Sequence, residues 1–318
     1  MRMPIAYAMA LVGFAGFACL TAPVTALNMV ATEIYATFSS YNLSVIAMFV
    51  LMGYLAFYSG LGSRLYVFAY KLMGHWPGGL AIATQAACAV FGAICGSNTA
   101  TAATMGAIAL PEMKKYNYEE SMATASVAAG GVLGVLIPPS VIFIVYGMCT
   151  EQSIGRLFLA GIIPGLLLML LYMAVIVILT KRNPDLAPAG EKASWAERLC
   201  ALKGSIAEVL VIFALSMGGL FAGWFTPTEA GAVGAAGVLL VALLGKNLSV
   251  EDLKKSLLDT TRTTAMIMLL VAAAVIFGRF MAISRIPFEL ASWAGELALP
   301  AVAVMIIILI IYFIRSEE

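Results

Sequence analysis

Runs of about 20 apolar residues recur along the whole chain, and they constrain the fold more than any other feature. Such a run, folded as a helix, crosses roughly 30 Å of hydrocarbon. Charged residues make up only 11% of the 318 residues, against about 25% in soluble domains. The sequence therefore predicts an all-α polytopic membrane protein. The candidate spans are 4–27, 43–62, 119–149, 157–180, 205–223, 228–245 and 262–283.

The histidine and cysteine content excludes several classes of membrane protein. His75 is the only histidine, and the five cysteines show no metal-ligand spacing. Haem, iron–sulfur and zinc chemistry need clustered histidines or cysteines, and nucleophilic catalysis needs a base beside its nucleophile. We therefore expect no enzymatic activity, no cofactor and no nucleic-acid partner.

Residues 77–111 combine apolar flanks with a polar centre, Gly96–Thr101. If this segment enters and leaves the membrane on the same face, nearly all lysines and arginines of the loops fall on one side, as the positive-inside rule requires. If it crosses once, they divide between both sides. The rule thus predicts a re-entrant hairpin with its base in the cytoplasm and its tip near the membrane midplane.

The next apolar segment, 119–149, contains a proline pair, Pro138-Pro139, preceded by Gly130, Gly131 and Gly134. Two prolines remove two amide donors and push the preceding residue out of helical geometry. Taken alone, this pattern also fits a simple kink with glycines for close helix contact. Directly after a re-entrant hairpin, it indicates the discontinuous helix of a secondary transporter.

A weak internal repeat relates the two halves of the chain. Ser63-Arg64 with Gly74 corresponds to Ser284-Arg285 with Gly295, at an offset of 221. Counting the membrane crossings between them places the two copies on opposite sides of the membrane, which is the pattern of an inverted repeat. The same offset places a second hairpin tip near residue 317, and we expect the second half-site to be incomplete.

Two helix starts carry the signatures of N-terminal caps. Thr226, Pro227 and Glu229 fit the N-cap, N1 and N3 positions of a capping box. Ser249 fits the N-cap of an amphipathic surface helix over 249–261. We therefore expect Glu229 to cap a helix and not to bind a transported ion.

Four segments in order resemble the large membrane subunit of TRAP transporters (tripartite ATP-independent periplasmic transporters), the DctM-like family. They are GAICGSNTATAATMGAIALPEMKK, AAGGVLGVLIPPSVIFIVYG, QSIGRLFLAGIIPG and FTPTEAGAVGA. The resemblance covers nearly the whole chain. It implies sodium-coupled import of an organic acid anion, such as a C4-dicarboxylate or a sialic acid, by an elevator mechanism. It also implies a periplasmic solute-binding protein, a small membrane subunit and a location in the bacterial inner membrane.

The resemblance also assigns parts of the chain. It implies a sodium site formed by Gly96, Ser97, Asn98, Thr101, Gly134 and Ile137. Solute would bind nearby, at Ser97, Asn98, Thr99, Pro138 and Pro139. The implied organisation is scaffold helices 1–62, an interfacial arm 63–76, the first transport-domain half 77–180, a cytoplasmic linker 181–204 with an amphipathic helix around 193–202, scaffold helices 205–248, the surface helix 249–261, and the start of the second transport-domain half 262–318. Family members usually extend beyond both ends, so a fragment is expected.

The tip residues themselves favour sodium. A hard cation prefers oxygen ligands, and the serine, asparagine and threonines of the tip supply them beside unwound carbonyls. A proton-coupled carrier of similar architecture is the alternative, but proton coupling normally uses buried carboxylates or histidines. A non-transporting assembly module is the other alternative, and the sequence does not exclude it.

Overall fold

The computed structural model describes residues 3–190, 192–194, 197–198, 207–296 and 301–315. Within these ranges the regular structure is helical and contains no strand, which confirms the all-α fold class. The helices are α1 Ile5–Leu20, α2 Pro23–Phe38, α3 Ser44–Tyr58, α4 Leu61–Met73, α5 Gly79–Cys95, α6 Asn98–Lys115, α7 Glu120–Leu136, α8 Val141–Cys149, α9 Ile154–Arg182, α10 Ala207–Phe221, α11 Pro227–Leu244, α12 Val250–Ser284, α13 Ile286–Glu296 and α14 Ala301–Arg315.

Several of these helices are long and apolar enough to cross a membrane. The described residues contain four: Tyr41–Tyr58, α9, α11 and α12. The pair α7 and α8, bent by 41° at a short break, makes a fifth. The chain is therefore a multi-pass membrane protein, as the apolar runs predict.

The chain divides into two compact units, one formed by Met1–Ser39 with Met266–Glu318 and the other by Ser40–Ala265. In the first unit, Gly13 approaches the backbone of Phe277 so closely that an added Cβ would lie 2.8 Å from its Cα. Glu33 accepts a hydrogen bond from Arg279 Nε at 2.8 Å. The second unit contains every residue predicted to bind sodium or solute.

Helix α5 lies at the centre of the second unit. Fourteen of its 17 residues are buried, and it packs against α3, α4, α6, α7 and α9. Small residues on all sides, mostly alanine and glycine, let five neighbours approach at once. By contrast, α9 exposes most of its leucines and isoleucines, as a helix facing lipid does.

The linker after α9 folds back onto the base of the hairpin, which the positive-inside rule predicts to face the cytoplasm. The carbonyl oxygens of Leu186 and Ala187 accept hydrogen bonds from Glu119 N and Gly78 N, both at 3.0 Å. Tyr118, in the same region, accepts a bond from Leu80 N at 3.1 Å, and burial raises its pKa to about 12. Neutral hydrogen bonds therefore join the linker, the start of α7 and the start of α5 at this end of the hairpin. The amphipathic helix predicted around 193–202 falls largely outside the described residues.

The expected caps are present. Thr226 Oγ1 accepts from Glu229 N, and Glu229 Oε2 accepts from Thr226 N, so the capping box is confirmed. Ser249 Oγ likewise accepts from Asp252 N at 3.1 Å. Glu229 is therefore engaged at the start of α11, as expected.

Two boundaries differ from those that the sequence predicts. The first apolar span, 4–27, is two helices because Pro23 occupies the first position of α2 and cannot continue α1. The surface helix 249–261 and the span 262–283 are one 35-residue helix. No glycine or proline lies between Ser249 and Phe277, so the change from polar to apolar composition occurs without a break in the backbone.

Candidate site at two adjoining helix breaks

Two interrupted helices meet in the second unit. The first break is Gly96 and Ser97, between α5 and α6, and the second runs from Ile137 to Ser140, between α7 and α8. A Cβ added to Gly96 would lie 2.6 Å from the carbonyl oxygen of Pro139. The two breaks therefore touch through their backbones.

The turn at the hairpin tip is shorter than the sequence predicts. Gly96 adopts φ +62°, a left-handed conformation that a residue with a Cβ disfavours. Ser97 then caps α6, its Oγ accepting from Ala100 N at 3.4 Å. Only these two residues lie outside the helices. Residues 98–101, predicted as part of the turn, already form the first turn of α6 because Ser97 is the residue that caps it.

The carbonyl oxygen of Ser97 is a focus of polar contacts at the tip. Thr101 is fully buried, and its Oγ1 donates to Ser97 O at 2.7 Å. Thr101 N donates to the same oxygen at 3.1 Å. The Cys95 side chain is a second hydrogen-bond partner of this hydroxyl, whose oxygen has lone pairs that can accept from a donor or bind a cation.

Gly134 lets α7 approach the carbonyl oxygen of Ser97 and the hydroxyl of Thr101. A Cβ at Gly134 would lie 2.9 Å from Ser97 O and would collide with Thr101 Oγ1. On its other side, a Cβ at Gly92 would lie 2.5 Å from Gly134 Cα. Glycine at 134 therefore permits three helices, α5, α6 and α7, to converge at one point.

The second break leaves carbonyl oxygens without helical donors. The oxygens of Gly134 and Val135 would accept from the amides of residues 138 and 139, but Pro138 and Pro139 have no N–H. Ile137 ends α7 in extended geometry, with φ −82° and ψ 126°. Free carbonyls at such a break are the usual cation ligands of discontinuous membrane helices.

The electrostatics follow from the helix ends. The C-terminal ends of α5 and α7 carry partial negative charge, and the N-terminal ends of α6 and α8 carry partial positive charge. No aspartate, glutamate or histidine lies in 77–111 or in 121–149. The arrangement can accommodate a cation at the carbonyl ends and an anion at the amide ends without any ionised side chain.

The structure brings some of the predicted residues together and separates others. Gly96, Ser97, Thr101, Gly134 and Pro139 form the contacts just described. Asn98 and Thr99 are exposed, and Asn98 Oδ1 accepts from Thr99 N at 2.7 Å. Thr99 nevertheless keeps contact with the tip, because its hydroxyl lies 3.1 Å from Ser97 Oγ, at hydrogen-bond distance.

Ile137 and Pro138 are both buried at the second break. The side chain of Ile137 packs against α9, where a Cβ at Gly165 would lie 2.7 Å from its Cγ1. Their roles as ligands, like those of the other predicted residues, stay predictions.

Two residues of this region were not singled out from the sequence. Ser140 is fully buried and caps α8, its Oγ accepting from Phe143 N at 3.5 Å. A serine after a proline pair and before an apolar run is an N-cap signal that could have identified it. Gly92 gave no such signal, because its importance arises from contact with a helix 40 residues further along the chain.

Comparison with known protein families shows which family this chain matches. A family model described as "Tripartite ATP-independent periplasmic transporter, DctM component" matches residues 1–316. One of the relatives is an uncharacterized protein, and the others are named as TRAP transporter permeases, which are transporters and not enzymes.

Three relatives illustrate the similarity. The C4-dicarboxylate TRAP transporter large permease protein DctM of Pseudomonas aeruginosa is 36% identical, covering 92% of this chain and 68% of its own. The isethionate TRAP transporter permease protein DctMQ of Oleidesulfovibrio alaskensis is 33% identical, covering 94% and 48%. The sialic acid TRAP transporter large permease protein SiaM of Vibrio cholerae is 32% identical, covering 99% and 73%. The chain thus spans about half to three quarters of the length of these relatives.

Proposed function

The chain belongs to the DctM component family of tripartite ATP-independent periplasmic transporters, and on this premise we propose that it takes part in sodium-coupled import of an organic acid anion. The observation that carries the proposal is the contact between the two helix breaks. Gly96 lies against Pro139 O, and Gly134 lies against Ser97 O and Thr101. This brings neutral oxygens and opposed helix ends together inside a membrane protein.

The oxygen donors favour sodium over a proton as the coupling ion. A sodium ion is held by several neutral oxygens, and the site offers hydroxyl oxygens and the carbonyls of Gly134 and Val135, which lack helical amide donors because residues 138 and 139 are prolines. A proton needs a group that titrates, and neither helix break contains a carboxylate or a histidine. The negative charge of the solute complements the sodium charge and the amide ends of α6 and α8.

The names of the relatives indicate the class of solute and the partners. Relatives are named for C4-dicarboxylates, isethionate and sialic acid, and others for ectoine; each of these solutes carries a carboxylate or sulfonate group. We therefore assign an organic acid anion to this chain. A periplasmic binding protein would deliver it and a small membrane subunit would complete the complex in the bacterial inner membrane. Movement of the transport-domain half 77–180 against the scaffold helices, as an elevator, belongs to the same proposal.

Thr101 provides the sharpest test of the sodium site. Thr101→Val removes the buried hydroxyl and keeps the side-chain shape. We expect the sodium concentration for half-maximal effect to rise about tenfold, since an interaction with a charged group contributes roughly 1.5–3 kcal/mol and 1.4 kcal/mol is a factor of ten. The measurement is a sodium titration of the melting temperature of the purified chain, at constant ionic strength with potassium as the replacement. Because a bound ion stabilises the folded chain by RT ln(1 + [Na⁺]/Kd), the half-maximal sodium concentration, or sodium midpoint, is the Kd fitted to this titration. Uptake by the chain reconstituted with its partner subunits gives the second reading.

Thr104→Val is the matched control. Thr104 lies one turn further along α6, is also buried, and its Oγ1 donates to Ala100 O at 2.7 Å, just as Thr101 Oγ1 donates to Ser97 O. Its substitution should change the half-maximal sodium concentration less than about twofold. Equal shifts in the two variants, or a melting temperature that potassium raises as much as sodium, would reject the assignment.

A further inference from the structure

Gln85 is a fully buried amide in the middle of α5, 11 residues before the hairpin tip. Its Nε2 donates to the backbone oxygen of Ser126 in α7 at 2.7 Å. Its Oε1 is buried and has no hydrogen-bond partner among the described residues. A glutamine that leaves one polar atom unsatisfied in an apolar interior costs stability, so the bond made by the other atom has a specific role.

The bond from Gln85 begins a column of contacts that leads to the helix breaks. Along α5, Gln85, Cys88 and Gly92 lie on one face. Each meets a residue of α7 in turn: Gln85 bonds Ser126, Cys88 Sγ would lie 2.6 Å from a Cβ at Gly130, and Gly92 meets Gly134. Residue number increases in the same direction along both helices, so α5 and α7 are parallel and in one register.

In this column, the hydrogen bond from Gln85 to Ser126 O is the directional contact that fixes the register of α7 against α5. The contacts at Cys88–Gly130 and Gly92–Gly134 are van der Waals contacts of small groups, which leave no room for a side chain at Gly130 or Gly134 and so limit a slide by steric exclusion, but they supply no directional bond. The bond from Gln85 to Ser126 O is directional and loses most of its strength when the atoms misalign. A slide of α7 against α5 would move Gly134 away from Ser97 O and Thr101.

We propose that Gln85 is a positioning residue for the cation site: its amide holds α7 in register with α5, so that the carbonyl of Gly134 and the oxygens of Ser97 and Thr101 stay at binding distance from one ion. The proposal rests on the proposed function, because it assumes that sodium binds at this convergence. Gln85 itself does not touch the ion, which lies two to three helical turns away near the tip.

The test replaces Gln85 with methionine, which has the same chain length and no donor. Gln85→Met should raise the half-maximal sodium concentration about fivefold in the thermal-shift titration of the purified chain. At saturating sodium, the half-maximal solute concentration for uptake by the reconstituted complex should change less than twofold. A smaller amount of folded protein would lower the amplitude of the melting transition but would not shift the sodium midpoint. The midpoint therefore separates positioning from a merely structural role.

Thr84→Val is the control beside it. Thr84 is also fully buried, but its Oγ1 donates to Leu80 O in its own helix at 2.8 Å and its other side-chain partner is Tyr66 of α4, so its substitution leaves the bond between α5 and α7 intact. Its sodium midpoint should stay within twofold of the parent. If Gln85→Met does not yield folded protein, Gln85→Asn keeps the amide and retracts it by one methylene, and it should raise the midpoint too.

Two results would overturn the proposal: an unchanged sodium midpoint in folded Gln85→Met or Gln85→Asn, or an equal shift in Thr84→Val. Thr101→Val, run in the same titration, separates this failure from failure of the proposed function. If Thr101→Val shifts the midpoint and the Gln85 variants do not, sodium binds at the breaks but Gln85 does not position them. If Thr101→Val leaves the midpoint unchanged, the sodium site itself is wrongly assigned.

Discussion

The two helix breaks differ in how the chain makes them, although they adjoin in space. At the hairpin tip, a single glycine with φ +62° reverses the chain, and α6 returns alongside α5. In the broken span, two prolines stop α7, and α8 continues at an angle of 41°. Both breaks end at a serine in nearly the same extended conformation, with φ −135° at Ser97 and φ −124° at Ser140.

This difference assigns complementary tasks to the two breaks. Glycine removes a side chain, so the tip backbone can come within contact distance of Pro139 O. Proline removes donors, so the broken span presents carbonyl oxygens without helical partners. One break therefore supplies close approach and the other supplies free oxygens. A site built from two identical breaks would lack one of these properties.

The largest expected effect comes from closing the space at the tip with Gly96→Ala. The added Cβ must meet Pro139 O at 2.6 Å, and the left-handed backbone is strained as well. Strain of this kind costs about 1–2 kcal/mol and overpacking about 1–3 kcal/mol. We expect a large drop in melting temperature and loss of sodium-dependent stabilisation, both measured on the purified chain.

Gly60→Ala is the control for the strain of a left-handed backbone conformation. Gly60 has φ +68°, almost the same as Gly96, but no atom lies within 4 Å of its added Cβ. The melting temperature of Gly60→Ala should fall by no more than about half the decrease expected for Gly96→Ala, and its response to sodium should be that of the parent. Equal losses in the two variants would mean that the left-handed conformation, and not contact between the breaks, explains the glycine.

A smaller effect is expected from restoring a donor to the broken span with Pro138→Ala. The new amide can bond the oxygen of Gly134, and Ile137 is no longer forced out of helical geometry. We expect the half-maximal sodium concentration to rise about threefold to fivefold, because one free oxygen becomes occupied. The sodium titration of melting temperature measures this directly.

Pro164→Ala is its counterpart away from the site. Pro164 lies inside the continuous helix α9 and is exposed. Its replacement should raise the melting temperature, since proline in a helix interior is unfavourable by about 3 kcal/mol relative to alanine, and should leave the sodium midpoint unchanged. A Pro138→Ala variant with the parent's midpoint would show that the free carbonyls of the broken span do not bind the ion.

The local parts of this comparison are predictable from the sequence, and the contact between the breaks is not. Pro138-Pro139 lies inside an apolar segment, where prolines kink or break a helix, and the capping box at Thr226 depends only on residues three apart. The exact tip was predicted too long because Ser97, Asn98, Thr99 and Thr101 can all cap a helix, and nothing local shows which one does.

Long-range contacts set the remaining features. The meeting of Gly92 with Gly134, and of Gly96 with Pro139, joins residues about 40 positions apart, and no periodicity within either segment reports it. The continuity of α12 was missed for the opposite reason. Its composition changes from polar to apolar near residue 262 while its backbone does not change, so composition alone misplaced a boundary.

The smallest expected effect separates the two serine caps. Ser97→Ala and Ser140→Ala each remove one side-chain acceptor at a helix start, which costs roughly 0.5–1 kcal/mol, at the low end because the bonds are 3.4 and 3.5 Å long. Similar small decreases in melting temperature are therefore expected. Only Ser97→Ala should also raise the sodium midpoint, by about twofold to threefold, because its hydroxyl lies at the turn that carries Ser97 O and Thr101. If Ser140→Ala raises the midpoint as much, the cap of the broken span also contacts the ion, and the division of tasks between glycine break and proline break does not hold.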